Sequence, residues 1–335
     1  MHTLLVTGGA GFIGSNFVRY VSAHAPHIRM IVLDALTYAG NIANLDGVKN
    51  VEFVHGSITD EKLVDSLMSR VDTVVHFAAE SHNDRAITQP RIFFETNVMG
   101  TLILLQAAVK YDVRFHHIST DEVFGDTALD STEKFTESSS YKPSSPYAAS
   151  KAASDHMVRA WVRTYGLRAT ISNCSNNYGP FQHIEKFIPR AITNALCGLP
   201  IKLYGDGLAV RDWIHVEDQC SAIWEILQNG HIGQTYLVGA NCTINNAHVV
   251  NMLEEILPQY CGEQKITVEH VRDRLGADRR YALDPHKIVE ELGWKAKHTD
   301  FRKGLSQTVE WYANHQDWWE AYKPDVERSY ANLGQ

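Results

Sequence analysis

The chain opens with a strand, a glycine-rich turn and a helix, and this opening restricts the fold more than any other stretch. Residues 3–7 read TLLVT, which predicts a short buried strand, and a helical pattern follows over residues 15–23. Glycines in the intervening turn permit a tight bend and let the backbone approach a pyrophosphate at the helix N-terminus. These glycines are Gly8, Gly9, Gly11 and Gly14. The opening therefore predicts a dinucleotide-binding unit.

An acidic residue after the second predicted strand strengthens this prediction. That strand, residues 30–33, ends at Asp34, about 20 residues beyond the glycines, where a carboxylate can bind ribose hydroxyls. A carboxylate there disfavours a 2′-phosphate, so we expect NAD rather than NADP. The alternative is a structural glycine turn followed by an unrelated surface aspartate.

Strand and helix patterns alternate through the first half of the chain. Strands are predicted at 51–55, 73–77, 114–119 and 169–173, and helices at 60–68, 97–110 and 147–165. Such alternation predicts right-handed crossovers and an α/β fold with a doubly wound parallel Rossmann sheet.

We expect two domains. Residues 1–178, with a segment returning near 206–240, are predicted to form the NAD-binding Rossmann domain. Residues 179–205 and 241–335, where the alternation loosens, are predicted to form a smaller mixed α/β C-terminal lobe for the substrate.

Two predicted helices, 97–110 and 147–165, are apolar on more than one narrow stripe. One interpretation is burial of both helices within a single subunit. The interpretation that we favour is a helix bundle shared by two subunits, which predicts a homodimer.

Composition argues against several classes of protein. Of 335 residues, 44% are apolar, and the formal net charge of -8 opposes nonspecific binding to nucleic acid. No apolar run approaches the ~18 residues of a membrane span. The five cysteines are scattered, and the first strand begins too early for a signal peptide. We therefore expect a cytoplasmic protein with no nucleic-acid, membrane or metal partner.

The segment Thr120-Asp121-Glu122 follows a predicted strand. Strand ends in a parallel sheet form the ligand crevice, so both carboxyl groups are expected there. Repulsion between adjacent carboxyl groups raises the pKa of one of them, which leaves an acid beside a base. Considered alone, the pair could equally be a helix cap or a solvated surface feature.

Tyr147 and Lys151 lie four residues apart and therefore on one helix face. A lysine ammonium near a phenol favours the phenolate, which lowers the pKa of the tyrosine. A phenolate beside a nicotinamide can remove the proton of an alcohol as its hydride leaves. The pair predicts hydride-transfer chemistry once the dinucleotide turn precedes it.

Together these motifs resemble the extended short-chain dehydrogenase/reductases, and among them the dTDP-glucose 4,6-dehydratases of deoxysugar (rhamnose) biosynthesis. The similarity covers nearly the whole chain. It includes TGGAGFIGSNF (7–17), LDALTYAGN (33–41), HFAAESHNDR (76–85), HISTDEVFGD (117–126), SSPYAASKAASDH (144–156), SNNYGPFQHIEKFIPR (175–190) and VRDWIHVED (210–218). The Thr-Asp-Glu triplet is the most specific, because sugar epimerases of this superfamily usually have small residues at positions 121 and 122.

The resemblance implies a lyase that converts dTDP-glucose to dTDP-4-keto-6-deoxyglucose and water. It implies that Tyr147, assisted by Lys151 and Thr120, removes the 4-hydroxyl proton while NAD accepts hydride from carbon 4. Glu122 then removes the carbon 5 proton, and Asp121, if protonated, gives a proton to the departing 6-hydroxyl. Hydride then returns to carbon 6, carbon 5 is reprotonated, and NAD is regenerated.

The resemblance also implies ligand contacts. For NAD they are Gly8, Gly11, Phe12, Ile13, Gly14, Asp34, Ser57, Ile58, Ala78, Ala79, Thr96, Tyr147 and Lys151. For the nucleotide-sugar they are Ser81, Asn176, Lys186, Arg211, Asn246 and Arg274. The two arginines suit a diphosphate, since guanidinium forks bind phosphate bidentately, although either could instead lie in a surface ion pair.

Five positions depart from the family pattern. Ser57 replaces an aspartate that faces the adenine amino group, Asn83 a valine, Phe124 a tyrosine, Asn173 an arginine and Ala277 a histidine. None is an acid, base or hydride position. Ser57 and Ala277 leave the strength of adenine and nucleotide binding open.

Two other functions stay open at this point. A nucleotide-sugar 4-epimerase, or another NAD-dependent sugar modifier, would need no acid–base pair at 121–122. A noncatalytic NAD sensor would need neither that pair nor Tyr147 and Lys151, whose presence argues against it. The choice of dTDP over UDP or CDP also stays open.

Overall fold

The structure is a computed structural model that describes residues 1–273 and 276–332. The strands are β1 (Thr3–Thr7), β2 (Arg29–Asp34), β3 (Val51–His55), β4 (Thr73–His76), β5 (Arg114–Thr120), β6 (Ala169–Cys174), β7 (Asn176–Tyr178), β8 (Ile201–Tyr204), β9 (Val210–His215), β10 (Thr235–Val238), β11 (Thr243–Asn245) and β12 (Val268–Val271).

The helices before residue 200 are α1 (Phe12–His24), α2 (Glu61–Met68), α3 (Asn83–Thr88), α4 (Pro90–Phe93), α5 (Thr101–Lys110), α6 (Pro146–Tyr165) and α7 (Phe187–Leu196). The later helices are α8 (Val216–Asn229), α9 (Asn246–Ile256), α10 (Pro258–Cys261), α11 (His286–Leu292), α12 (Phe301–Asn314), α13 (Gln316–Trp319) and α14 (Lys323–Asn332). Short 3-10 turns lie at Ile42–Leu45, Asp121–Phe124 and Glu320–Tyr322, and a π-helical turn at Phe94–Gly100.

The central feature is a seven-stranded sheet in the order β10-β6-β5-β4-β1-β2-β3. Every neighbouring pair in it is parallel. Both faces are covered, because Leu4 and Val6 of β1 enter one buried cluster while Leu5 enters the cluster on the opposite face. A strand buried on both faces reads as a continuous apolar run, as TLLVT does. The predicted doubly wound Rossmann sheet is confirmed.

The strand order reverses between β1 and β4, and this switch point positions the ligand crevice. From β1 the chain winds outward to β2 and β3, whereas from β4 it winds the other way to β5 and β6. Loops at the carboxyl ends of β1 and β4 therefore diverge and leave a cleft between them. The glycine turn follows β1, and the carboxylate pair follows β5.

The second half of the chain adds two small sheets, β11-β9-β7 and β8-β12, and a large apolar cluster. The cluster gathers side chains of α7, α9 and α12 with those of the C-terminal helices. Strand β9 was not predicted: its Arg211 and Asp212 are polar, but both are buried. A polar pair inside a buried strand hides the periodicity from which strands are inferred. The division into two domains stays a prediction.

The helix predicted at 97–110 begins earlier than expected. Helix α4 starts at Pro90, and the π-helical turn joins it to α5, so the helical stretch is continuous from Pro90 to Lys110. Proline is favoured in the first helical turn, where its missing N–H costs nothing. The apolar pattern marked only the later part because Arg91 and Glu95 interrupt it.

By length and composition alone, Pro90–Lys110 could cross a membrane. The same test is passed by core helices, and 44% of the apolar window is already buried inside the subunit. The helix also packs on α2 and α6. This stretch is therefore weak evidence for a membrane segment. The expectation that the protein has no membrane partner stays a prediction.

Candidate active site

The glycine turn forms a cradle of bare backbone at the start of α1. The N-cap residue of α1 is Gly11, which offers no side chain to accept from the first amide groups. A Cβ on Gly8 would lie 2.6 Å from the nitrogen of Ala78, and one on Gly14 would lie 2.2 Å from the carbonyl oxygen of Gly8. Side chains at these positions would break the turn. The open amides and the helix dipole suit a pyrophosphate.

Asp34 stands at the end of β2 beside this cradle. Its Oδ2 accepts a hydrogen bond from the Ala10 amide at 2.9 Å, and its Oδ1 accepts one from the Leu36 amide at 2.8 Å. Burial raises the pKa of Asp34, and these two bonds oppose the rise. Each oxygen keeps a second lone pair for a ribose hydroxyl. The residues present therefore fit NAD.

The remaining residues assigned to the cofactor lie along the same edge of the sheet. Phe12 and Ile13 occupy the first turn of α1, and Ala78 and Ala79 lie in the loop after β4. Thr96 lies in the π-helical turn. Two others follow β3, namely Ser57 and Ile58. The hydroxyl of Ser57 is engaged with the hydroxyl of Thr59 at 2.7 Å. That these residues contact NAD stays a prediction.

The carboxyl pair begins where β5 ends. Thr120 caps the following 3-10 turn, because its hydroxyl oxygen accepts from the Glu122 amide at 3.3 Å and its O–H donates to Asp121 Oδ1 at 3.2 Å. Burial raises the pKa of Asp121 well above its ordinary value, and the charges of Glu122 and Asp212 add to the rise. Burial therefore favours the protonated form of Asp121. The sequence anticipated the direction, but burial rather than repulsion is the main cause.

The two carboxyl groups and Tyr147 share one site. The charge of Glu122 raises the pKa of both Asp121 and Tyr147. Glu122 Oε2 also accepts a hydrogen bond from Asn83 Nδ2 at 2.9 Å. Asp121 Oδ2 is buried, and among the described residues it has no hydrogen-bond partner. The arrangement places a buried carboxyl group with a raised pKa beside a hydrogen-bonded carboxyl group.

Tyr147 and Lys151 lie in the first two turns of α6. Burial raises the pKa of Tyr147 well above its ordinary value, and Glu122 adds to the rise. The Lys151 ammonium donates instead to the carbonyl of Ile118 at 2.7 Å and lies 3.4 Å from His117 Nε2. The expected lowering of the tyrosine pKa is therefore wrong for this arrangement, because burial and the carboxyl groups dominate.

Sequence reasoning missed the buried network that holds Lys151. Asp155 Oδ1 lies 3.3 Å from His117 Nε2, and Asp155 Oδ2 accepts from Tyr141 and Asn173. Burial alone would raise the pKa of Asp155, but His117 and its other partners lower it to about 2. Asp155 is thus a buried anion facing the lysine. Its position four residues after Lys151, one helical turn, was the available signal.

Residues assigned to the substrate are partly brought together. Lys186 Nζ donates to the carbonyl of Ser81 at 3.0 Å. Arg211 is buried, lies 4.4 Å over the ring of Tyr281 and donates to the carbonyl of Asp278 at 2.9 Å. A surface ion pair is therefore the wrong interpretation for Arg211, and its charge acts on Asp121 instead.

Two further substrate candidates, Asn176 and Asn246, each keep a buried side-chain oxygen without a partner in the described part of the chain. Such oxygens can accept from sugar hydroxyls or a base. Arg274 lies outside the described residues. Contact of any of these side chains with a nucleotide-sugar stays a prediction.

One group among the described residues brings three metal-type ligands within 4.8 Å of one another, His215, Glu217 and His298. The two imidazole rings stack at 4.1 Å with an interplanar angle of 26°. Lone pairs in nearly parallel rings do not converge on one ion, and His298 already bonds to Glu217 at 2.9 Å. The contacts of this group are explained without an ion.

Comparisons with known proteins identify the family of this chain. The model of the family described as GDP-mannose 4,6 dehydratase matches residues 5–308. A dTDP-glucose 4,6-dehydratase of Mycolicibacterium smegmatis is 53% identical over 333 residues, 99% of each chain. DesIV, a dTDP-glucose 4,6-dehydratase from Streptomyces venezuelae solved with NAD bound, superposes with a TM-score of 0.88 at 48% identity, over 95% of this chain and 99% of its own.

A UDP-glucose 4-epimerase from Thermotoga maritima shares the fold with a TM-score of 0.85, over 94% of this chain and 99% of its own, but its identity is 29%. The dehydratase relatives are clearly more similar in sequence. The resemblance inferred from the motifs is thus confirmed, and the chain belongs to the dTDP-glucose 4,6-dehydratase family within the extended short-chain dehydrogenase/reductases.

Proposed function

We propose that this protein is an NAD-dependent dTDP-glucose 4,6-dehydratase that forms dTDP-4-keto-6-deoxyglucose and water. The observation that carries the proposal is the buried Asp121, whose pKa is raised, beside Glu122 in a dinucleotide crevice and next to Tyr147. Oxidation at carbon 4 needs only the tyrosine, whereas loss of water needs an acid and a base as well. The pair would have no task in a 4-epimerase.

Tyr147 performs the proton transfer of the first step. Bound NAD supplies the hydride acceptor at carbon 4 and later the hydride donor at carbon 6, and its positive ring favours phenolate nearby. Thr120 favours the same ionised form of Tyr147, because its side-chain hydrogen bond lowers the pKa of Tyr147 against the effect of burial. The tyrosine then takes the 4-hydroxyl proton. Phe93 packs edge-on against its ring at 6.3 Å and holds it in place.

The carboxyl pair performs the elimination. A 4-ketone acidifies the proton on carbon 5, and Glu122 takes that proton as an ionised carboxylate. Asp121, whose pKa is raised by burial, donates its proton to the 6-hydroxyl, which leaves as water. The atoms balance, since one proton is taken from carbon 5 and one is given to the leaving hydroxyl. Neither transfer needs a side chain outside the crevice.

The substrate is anionic, and the lobe side of the crevice supplies positive charge. Arg211 is buried at the site and lowers the pKa of Asp121 against the effect of burial. Its guanidinium suits a diphosphate, and Lys186 adds a second cation beside Ser81. Because none of these groups distinguishes one base from another, the preference for dTDP rests on the family.

The proposal is tested with a panel of nucleotide-glucoses. We expect conversion of dTDP-glucose to a 4-keto-6-deoxy product by enzyme with NAD, because the hydride returns to the sugar and NAD is regenerated. No reduced nicotinamide should accumulate. Product sugar and near-ultraviolet absorbance are measured together. One equivalent of reduced nicotinamide for each product molecule would instead indicate a simple dehydrogenase.

We further propose that the protein is a homodimer. Three apolar side chains on the helical stretch Pro90–Lys110 face outward, Phe94, Met99 and Val109, and Tyr165 of α6 is exposed as well. Two neighbouring helices with exposed apolar faces suit a bundle across a twofold axis. The unpaired cysteines among the described residues agree with a cytoplasmic location, and the family suggests rhamnose biosynthesis.

Met99→Glu tests the dimer. Met99 is 50% exposed, so a charge there should change the stability of a monomer little. In the shared bundle the same charge would be buried, which would disfavour the dimer. We expect wild-type protein to elute as a dimer and the variant as a monomer with its fold retained. Leu199→Glu, at a site that is 40% exposed elsewhere, is the control and should stay dimeric. A monomeric wild type at micromolar concentration would refute the bundle.

A further inference from the structure

We propose that Asn83 is a positioning residue that keeps Glu122 ionised and oriented for the elimination step. The proposal rests on the proposed function, since it assigns Glu122 the carbon 5 proton. Asn83 departs from the family pattern, and the sequence alone suggested no role for it.

The contacts of Asn83 connect three separate elements. Asn83 is the first residue of α3, which follows β4. Its Nδ2 donates to Glu122 Oε2 at 2.9 Å, after β5. Its Oδ1 accepts from the hydroxyl of Ser145 at 3.1 Å, just before α6. One amide therefore links the elimination base to the start of the helix that carries Tyr147.

The hydroxyl of Ser145 fixes which way the amide points. Its oxygen is the N-cap acceptor for the Ala148 amide at 3.1 Å, so its single hydrogen is available for Asn83 Oδ1. A flipped amide would place Oδ1 of Asn83 against the Glu122 carboxylate, two acceptors facing each other. Only a protonated Glu122 would tolerate that arrangement. The amide orientation and the ionised state of Glu122 therefore support each other.

Three of the described groups near Glu122 carry no positive charge. They are Asp121 beside it, Tyr147 from α6 and Tyr281 from the segment after β12, and Glu122 raises the pKa of each of them. The cation Arg211 also acts in this crevice, where it lowers the pKa of Asp121 and Tyr281. Interaction between sites is reciprocal, so any negative charge on these groups would disfavour a charged Glu122. A neutral donor such as the Asn83 amide favours the carboxylate without adding charge to the crevice.

The consequence is confined to one step. Without the Asn83 donor, Glu122 takes up a proton at a higher pH than in the wild type, and a protonated carboxyl cannot accept the carbon 5 proton. Oxidation at carbon 4 does not use Glu122 as its base, so reduced nicotinamide should still form. Asn83 thus acts through Glu122, and its removal should move a pH profile rather than abolish binding.

The test compares Asn83→Leu and Asn83→Asp with wild type across pH. The rate of carbon 5 proton exchange with deuterated solvent is measured alongside KM and kcat for dTDP-glucose. For Asn83→Leu we expect the acid limb of the exchange rate to move upward by roughly one pH unit, with KM changed by less than about twofold. Well above that limb the rate should return toward the wild-type plateau. For Asn83→Asp the acid limb should move further upward, because this change replaces a hydrogen-bond donor with a second negative charge beside Glu122.

Thr88→Ala is the matched control, since Thr88 is exposed on the same short helix and its hydroxyl donates to carbonyl groups of that helix. Its profile should match that of wild type. An unchanged acid limb in both Asn83 variants, or an equal loss of rate at every pH, would overturn the role assigned to Asn83. If Asn83→Leu fails to fold, Asn83→Asp decides, because its side chain can still accept from Ser145. A wild type that forms no 4-keto-6-deoxy product would defeat the proposed function itself, which is a separate result.

Discussion

Replacing Glu122 with glutamine should lower overall turnover by roughly 10²–10⁴, the usual effect of losing a positioned general base. Glutamine keeps the length of the side chain, and its oxygen can still accept from Asn83 Nδ2 in place of Glu122 Oε2. The variant should therefore fold and bind both ligands. Oxidation at carbon 4 depends on Tyr147, so it should survive, and the reaction should stall at the 4-keto sugar.

Two measurements separate these steps in Glu122→Gln. Rapid mixing under single-turnover conditions should show reduced nicotinamide forming and persisting, whereas wild type consumes it. Exchange of the carbon 5 proton with deuterated solvent should be lost. If reduced nicotinamide fails to form while both ligands still bind, Glu122 belongs to the oxidation step and the assignment to elimination is wrong.

Replacing Tyr147 with phenylalanine should have the opposite signature. The ring and its packing against Phe93 are kept, so the change removes one hydroxyl and with it the group that takes the 4-hydroxyl proton. Turnover should fall by roughly 10²–10⁴, and because the block comes before the first hydride transfer, little reduced nicotinamide should form even in a single turnover.

The control for Tyr147→Phe is Tyr236→Phe. Tyr236 is also buried, but its hydroxyl bonds to His231 and Glu291, away from the crevice. We expect Tyr236→Phe to keep wild-type kinetics with a modest loss of stability, about 1 kcal/mol for the lost hydrogen bonds. Normal formation of reduced nicotinamide by Tyr147→Phe would show that another group accepts the 4-hydroxyl proton.

The parts of the site whose placement in the fold could be predicted from the sequence are local. The glycine cradle, Asp34 and the spacing of Tyr147 and Lys151 each lie within one strand–turn–helix or one helical turn, where chain geometry fixes the neighbours. Burial on both faces of the sheet could likewise be inferred, because a run such as TLLVT has no polar side. The placement of the strand-end residues at one edge of the sheet could also be inferred, because parallel strands all end at the same edge.

What sequence missed depends on contacts between distant segments. The hydrogen bond between Asn83 and Glu122 joins residues 39 positions apart, and no spacing rule predicts it. The same holds for the Ile118 carbonyl that receives the Lys151 ammonium. Charge alone suggested that Lys151 would act on Tyr147, but desolvation in the folded protein raises the tyrosine pKa by more than any nearby cation lowers it.

The most direct test of the account follows one hydrogen atom. Enzyme with unlabelled NAD is given dTDP-glucose that carries deuterium on carbon 4, and the product is examined by mass spectrometry and NMR. A dehydratase that moves hydride from carbon 4 to carbon 6 must deliver the deuterium to the methyl group of dTDP-4-keto-6-deoxyglucose. Deuterium that is found again on carbon 4 of a hexose, as in an epimerase, or that collects in the nicotinamide, would contradict the proposed reaction.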